Sequence, residues 1–339
     1  MNRRQFLATS ALMANAAAQP ATPPIKLGID LFSIRNQNWT PIQYLDYCAK
    51  QKARVVHFSE TRFLGSLEPA NLRSIREHAE KLNIEVEIGM TSICPSSKAF
   101  KPELGTAEEQ LTRMIDAATI VGSSIVRSVL GTAADRDPGP ISKHIEDTVK
   151  VLHSVRPYLL DKGIKVAIEN HAGDMTAPEV ETLVREAGTD ITGVCLDSGN
   201  PLWTLEDPHY TLETLHPYVL TSHTRDTMVW NTHDGAAVTW VRMGQGNVGI
   251  RDYMLRFAEL CPGKALSLES IVFGPRQYPW RKREFWRTYQ DVQAASFSRF
   301  LTIAETGKPT PDYAFNRGVE LEREDLEASL AYVRELFHI

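Results

Sequence analysis

The sequence predicts an α/β fold, a closed (β/α)8 barrel of the TIM type. Two observations lead there. First, four short apolar runs between Ile164 and Glu269 each end in a residue able to hold a divalent cation. They read Ile164-Lys-Val-Ala-Ile-Glu169, Thr192-Gly-Val-Cys-Leu-Asp197, Tyr218-Val-Leu-Thr-Ser-His223 and Lys264-Ala-Leu-Ser-Leu-Glu269. Segments long enough for a helix separate them, so strand and helix alternate. Second, side chains alternate faces along a strand, and the four runs agree in parity. On the ligand's parity stand Ala167, Gly193, Cys195, Thr221, Ala265 and Ser267, all small; opposite stand Ile164, Val166, Ile168, Val194, Leu196, Leu220, Leu266 and Leu268. A narrow inner wall and a bulky outer wall under helices is the pattern of a closed parallel barrel. Functional groups of such barrels sit at the carboxyl ends of the strands, so Glu169, Asp197, His223 and Glu269 converge over one mouth.

The first half of the chain repeats the period with weaker end signals. Lys26–Phe32 reads as the first strand and Pro41–Ala53 as the first helix, with Pro41 suited to its first turn. Arg54–Phe58, Glu85–Gly89 and Ser124–Leu130 supply the next three strands. Helices over about Pro69–Lys81, Thr106–Val121 and Pro140–Lys162 follow them, the last stopped by Gly163. With the four ligand-bearing runs this makes eight strands. Later helices are expected over about Ala177–Ala187, Ile250–Leu260 and Lys282–Thr302, with a short one inside the Pro- and aromatic-rich stretch Leu202–Pro217. Two connections, Arg225–Gly249 and Val272–Trp286, exceed the usual loop length, and long loops at this rim are usually functional. The second carries Phe273, Tyr278, Trp280 and Trp286, which would cover the mouth, join a subunit contact or pack in the core. A final helix over about Arg323–Phe337 has an apolar stripe at Leu326, Leu330, Val333 and Leu336 that packs on the outside. The expected organisation is a barrel over 26–302 and a C-terminal extension over 303–339.

The 339 residues, 42% hydrophobic and 23% charged, suit one large globular domain. A formal charge of -5 without a Lys or Arg block offers no footprint for nucleic acid, which leaves small molecules as the expected partners. Residues 1–18 differ from the rest. Arg3-Arg4-Gln5-Phe6-Leu7, a weakly apolar Ala-rich run and Ala16-Ala17-Ala18 resemble a twin-arginine export signal, with Ala8 where Lys is common. Residues 19–25 would be a short leader containing Pro20, Pro23 and Pro24. The expected location is periplasmic, or otherwise exported by that route, with no membrane anchor, since no other stretch approaches the ~18 apolar residues of a span. Cys48, Cys94, Cys195 and Cys261 lack C-x-x-C spacing, so no zinc knuckle or redox motif is written.

Two Glu, one Asp and one His describe a site for one hard or borderline divalent ion: Mn, Co or Mg, with Zn also admissible. Taken singly, a strand-end carboxylate can cap the next helix and a His can be a hydrogen-bonded core residue. Four consecutive strands ending on one parity in a ligand type are hard to obtain from capping alone. In Ile168-Glu169-Asn170, Leu196-Asp197-Ser-Gly-Asn200, Ser222-His223-Thr-Arg225-Asp226 and Leu268-Glu269-Ser270 the chain resembles the xylose isomerase-like barrel group of sugar isomerases and epimerases. The resemblance covers about Lys26 to Thr302. It implies that Glu169 and Glu269 both ligate and shuttle protons while Asp197 and His223 mainly hold the ion. Some epimerases carry His three residues after the Asp, where this chain has Asn200. The additional His ligands and basic groove of the DNA-repair endonucleases in the same superfamily are not apparent.

Such a site suits removal of a proton beside a carbonyl, through an enediolate that a divalent ion stabilises. Glu169 and Glu269 would work from opposite faces of the substrate carbon as base and acid. Candidate substrate contacts are His171 and Arg225, which share parity with Glu169 and His223, together with Asn200, Glu60, His57 and Arg127. The expected function is a metal-dependent isomerase or epimerase of a non-phosphorylated sugar, phosphorylated ones being chiefly cytoplasmic. A lyase or dehydratase acting on a keto-glycoside would share the first step. A non-catalytic sugar-binding barrel is the alternative of another class, and association into a homo-oligomer is in keeping with the group.

Overall fold

The computed structural model describes residues 24–137 and 141–339. The export signal expected over 1–18, most of the leader, and Pro140 at the expected start of the fourth helix lie outside the described residues. Eight parallel strands form the barrel. They are β1 (Lys26–Asp30), β2 (Val55–Phe58), β3 (Glu85–Ser92), β4 (Ile125–Val129), β5 (Lys165–Glu169), β6 (Thr192–Asp197), β7 (Val219–His223) and, after the inserted strands β8 (Asp226–Asn231) and β9 (Ala236–Val241), β10 (Ala265–Leu268). Their order is β10-β1-β2-β3-β4-β5-β6-β7. The remaining seam closes where Thr224 bridges Leu268: the Thr224 N–H donates to the Ser267 carbonyl at 2.7 Å and the Glu269 N–H to the Thr224 carbonyl at 3.1 Å.

Seven helices alternate with the strands: α1 (Pro41–Lys50), α2 (Pro69–Leu82), α3 (Ala107–Val121), α4 (Ser142–Lys162), α5 (Ala177–Ala187), α6 (Pro208–Leu215) and α7 (Ile250–Leu260). Thr40, Thr106 and Thr176 open α1, α3 and α5 with capping boxes that satisfy the free N–H groups of the first turn. The wall follows the alternation read from sequence. Ala167 and Cys195 pack with Ile125 in a small inner cluster, whereas Val166, Ile168, Val194, Leu196, Leu266 and Leu268 join the main core under the helices. Leu220 departs from the expected outer face and packs with the inner cluster. The β6–β7 register skips it, pairing Val194 with Val219 and Cys195 with Thr221. An extra residue on one strand is a β-bulge, and it turns Leu220 inward without disturbing His223.

The two long connections are not loops. β8, β9 and β11 (Phe273–Tyr278) form a separate three-stranded antiparallel sheet in the order β11-β9-β8. Strands β8 and β9 are buried along almost their whole length, so they show no polar alternation. Helix α8 (Ala294–Thr306) starts at Ala294, not Lys282, because residues 283–287 form a 3-10 turn, and it packs on β8 of this small sheet. Trp280 and Trp286 both meet Phe297 of α8, and Tyr278 meets its Phe300. Three of the four aromatics of the second connection are therefore packing groups; Phe273 stands at the mouth. The last helix, α9 (Val319–Phe337), packs against β10 and the 3-10 turn Leu31–Ile34 that follows β1. No helix among the described residues is long and apolar enough to cross a membrane, and the four cysteines are buried and unbridged.

Candidate metal centre

The four strand ends meet. One donor atom from each of Glu169, Asp197, His223 and Glu269 lies within 4.8 Å of the others, and all four side chains are buried. Neighbouring residues set their directions. Asn170 clamps the backbone of Asp197, its Nδ2 donating to the Asp197 carbonyl and its Oδ1 accepting from the Asp197 N–H, both at 2.9 Å. Asp197 Oδ1 accepts the N–H groups of Gly199 and Asn200, each at 2.7 Å, which turns Oδ2 toward the centre. Ser198 ties β6 to β7, donating to the Arg225 carbonyl at 2.7 Å and accepting its N–H at 2.9 Å.

His223 faces two ways. Its Nε2 lies 2.8 Å from His57 Nδ1 and 3.1 Å from Asp30 Oδ2. Its Nδ1 lies 3.1 Å from Glu169 Oε2 and 3.2 Å from Glu269 Oε2, yet has no hydrogen-bond partner. Close spacing without hydrogen-bond geometry suits atoms arranged around a common centre. The other Asp30 oxygen is fixed by the Phe32 N–H at 2.7 Å and the Ser59 hydroxyl at 3.0 Å. Nε2 is hydrogen-bonded to His57 and has the Asp30 carboxylate beside it, and partners of this kind orient a ring so that its other nitrogen can present a lone pair to a cation. Asp30→Asn is accordingly expected to weaken divalent-ion binding about 10- to 100-fold, read by calorimetric titration with Mn; an unchanged affinity would mean that His223 is oriented without Asp30.

Electrostatics favours a cation here. Burial pushes the Asp197 carboxyl up to about 7, Arg225 opposing and the Glu169 and Glu269 charges reinforcing. Burial also acts to raise Glu169 and Glu269, but in both the nearby charges prevail. Arg127 and His223 hold Glu169 well below the usual carboxylate range, and Arg225 and His223 bring Glu269 to about 2. Burial disfavours a charged His223, but the surrounding anions raise it well above the ordinary value. Burial raises the Cys195 thiol, an inner-wall neighbour of Glu169 and His223, to about 12. Three carboxylates and one imidazole nitrogen form a donor set for Mn, Co, Mg or Zn, and the unpartnered Nδ1 atom fits such an ion.

Arg225 is built into the centre. Its Nη2 donates to Asp197 Oδ2 at 2.5 Å and also to Glu269 Oε2. A Cβ at Gly199 would stand 2.3 Å from Arg225 Cγ, so glycine there leaves room for the arginine stem. The guanidinium lies 4.2 Å over Trp240, which stacks on Trp203 at 4.5 Å. Arg127 donates to Glu169 Oε2, and Asn200 Nδ2 to Glu169 Oε1 at 3.3 Å. His57 stands behind His223, and burial with the His223 charge lowers it to about 3. His171 is turned to the Gly131 carbonyl at 2.7 Å. Glu60 pairs with Arg62 at the surface, apart from the cluster. Sequence reasoning missed Asp30, although it ends β1 on the parity of Gly28, a small inner-wall position of the kind that marked the ligands.

Residues 45–287 match the family described as xylose isomerase-like TIM barrel, and the chain belongs to that family. The 3-oxo-isoapionate decarboxylase of Pectobacterium atrosepticum is 24% identical over 182 residues, 54% of this chain and 59% of that protein. The chain spans about six tenths of the length of the curated relatives it matches. Among solved structures, D-psicose 3-epimerase of Clostridium cellulolyticum H10 with D-tagatose superposes at a TM-score of 0.62, with 12% identity over 92% of this chain and 99% of that one. The probable 3-DHS dehydratase AsbF of Bacillus anthracis superposes at 0.55, with 14% identity over 72% and 92%. These likenesses in structure are likenesses of fold.

Proposed function

We propose that this chain is a divalent-metal-dependent isomerase or epimerase of a non-phosphorylated sugar. The carrying observation is the convergence of Glu169, Asp197, His223 and Glu269 within 4.8 Å at the barrel mouth. A divalent ion held by these four residues would supply Lewis acidity toward a carbonyl and its neighbouring hydroxyl. Glu169 takes the proton from the carbon beside the carbonyl, leaving an enediolate, and Glu269 returns one from the other face. Arg127 and His223 keep Glu169 ionised and so able to accept that proton. Arg225, buried beside Glu269, offers its guanidinium to the developing oxyanion. The unphosphorylated substrate rests on the export signal expected at the amino terminus.

A second reading, elimination from a keto-glycoside, is supported by the names of a dehydratase and a decarboxylase among the similar proteins. Isomerisation, β-elimination and decarboxylation of keto-sugars all place an electron pair on the carbon beside a carbonyl. They differ in what leaves that carbon or its neighbour. The deciding experiment incubates metal-loaded protein in deuterated water with unphosphorylated ketoses and 3-keto-glycosides. Deuterium beside the carbonyl of an intact sugar is the expected result. Cleavage to an unsaturated keto-sugar would replace isomerase by lyase, and metal binding with neither outcome would leave a sugar-binding barrel.

A further inference from the structure

An unbroken arc of aromatic rings runs from the candidate centre to solvent. It starts at Trp240 under Arg225, the guanidinium that touches Asp197 and Glu269. Phe273 follows at 6.2 Å between ring centroids, then Phe315 edge-on at 5.2 Å, then Phe32 at 6.2 Å. Phe32 lies in the 3-10 turn Leu31–Ile34 that follows β1, Phe273 stands four residues beyond Glu269, and Phe315 comes from the connection between α8 and α9. The arc thus follows the mouth from β9 across β10 to β1.

The outer part of this arc borders the main core but is only partly covered. Phe315 is 45% exposed, and Phe273 and Phe32 are half-buried. One face of Phe315 is covered by the Arg35 guanidinium, 4.4 Å from the ring centroid. The ring is also held in place. Arg35 donates to the Phe315 carbonyl, Asn36 Nδ2 donates to Asn316 Oδ1 at 3.1 Å, and Tyr313 and Gly274 exchange backbone hydrogen bonds at 2.6 and 3.2 Å. A lone exposed apolar side chain is ordinary. Three linked rings, fixed from both sides and continuous with a buried polar centre, make the aromatic wall with few polar groups that small-molecule sites present.

We infer that the ligand of this site carries a second ring beyond the reacting sugar, seated against Phe32, Phe273 and Phe315. The substrate class is a glycoside, its outer ring an aryl group or a second sugar with an apolar face. This rests on the reading that Glu169 and Glu269 act on a sugar, because a single sugar ring engaged by both carboxylates leaves the outer arc bare. Because the rim is already ordered, little freedom is lost when the second ring docks.

The test uses the full chain loaded with Mn and three probes: a 3-keto-hexose, its phenyl glycoside and its glucosyl glycoside. Binding is followed by calorimetry and exchange by deuterium uptake. At least one two-ring probe is expected to bind about tenfold more tightly than the monosaccharide. Phe315→Ala and Phe315→Leu remove that advantage while leaving monosaccharide binding unchanged. The phenyl and glucosyl arms identify the outer ring. Equal affinity for one and two rings, binding of none of the probes, or a Phe315→Ala loss that falls equally on the monosaccharide would overturn the inference. Phe315-dependent binding of a two-ring probe without exchange or cleavage would uphold it while removing the catalytic reading.

Discussion

Glu169→Gln is expected to lower the rate of proton exchange beside the substrate carbonyl by about 10³, the range a positioned general base contributes. Gln keeps the shape and an acceptor for the Arg127 guanidinium but cannot take a proton. The change also leaves the buried Arg127 charge without its anion, and truncating one partner of a buried pair costs about 3–5 kcal/mol. Two measurements separate the effects. A thermal melt reports the pair, and exchange measured well below the melting midpoint reports the base. Glu269→Gln should behave differently, because Glu269 is the group that returns the proton. Exchange washed in through Glu169 survives in part, whereas net epimer formation falls. Unchanged exchange in a folded Glu169→Gln protein would remove Glu169 from the role of base.

Removing divalent ions by chelation is expected to abolish exchange and to lower the melting temperature, and Mn or Co should restore both. A ligand held at a hundred times its dissociation constant stabilises the folded state by about 2.7 kcal/mol, enough to move the midpoint visibly. His223→Ala should lose both the exchange and the metal-dependent shift. The alternative outcome is specific. If exchange persists in protein shown to be metal-free, Arg225 is the resident cation of the site, since its guanidinium already reaches Asp197 and Glu269.

The convergence of four strand ends was legible because a barrel strand has only two faces, and the inner face admits small residues beneath a functional end. That rule covers Glu169, Asp197, His223 and Glu269. Applied to β1 it also reaches Asp30, but the apolar Leu31 and Phe32 prolong the run in sequence, so Asp30 reads as an interior residue of a strand that in fact ends there. Leu220 broke the rule because a bulge is a matter of pairing, which one strand's sequence does not carry. The small sheet was hidden for a related reason. Its strand β8 packs on α8 and its strand β9 places Trp240 under Arg225, and both are buried along almost their whole length, so neither shows a polar face. Strand β11 contains Gly274 and Pro275, residues that ordinarily argue against a strand. Phe315 could not be found from local pattern at all, because its place at the mouth depends on partners near residues 35 and 274.

The ring of strands is joined by pairing Lys26 with Ala265 and Ile29 with Leu268, residues near opposite ends of the chain. During synthesis one edge of β1 therefore stays without its neighbour until β10 has left the ribosome, and α9, which packs on that same seam, emerges later still. Contacts of such long sequence separation are slow to form, and an unpaired strand edge invites association with other chains. The nascent protein therefore has a long interval in which most of its strands are made but the fold cannot be completed, and over that interval β1 presents an open edge.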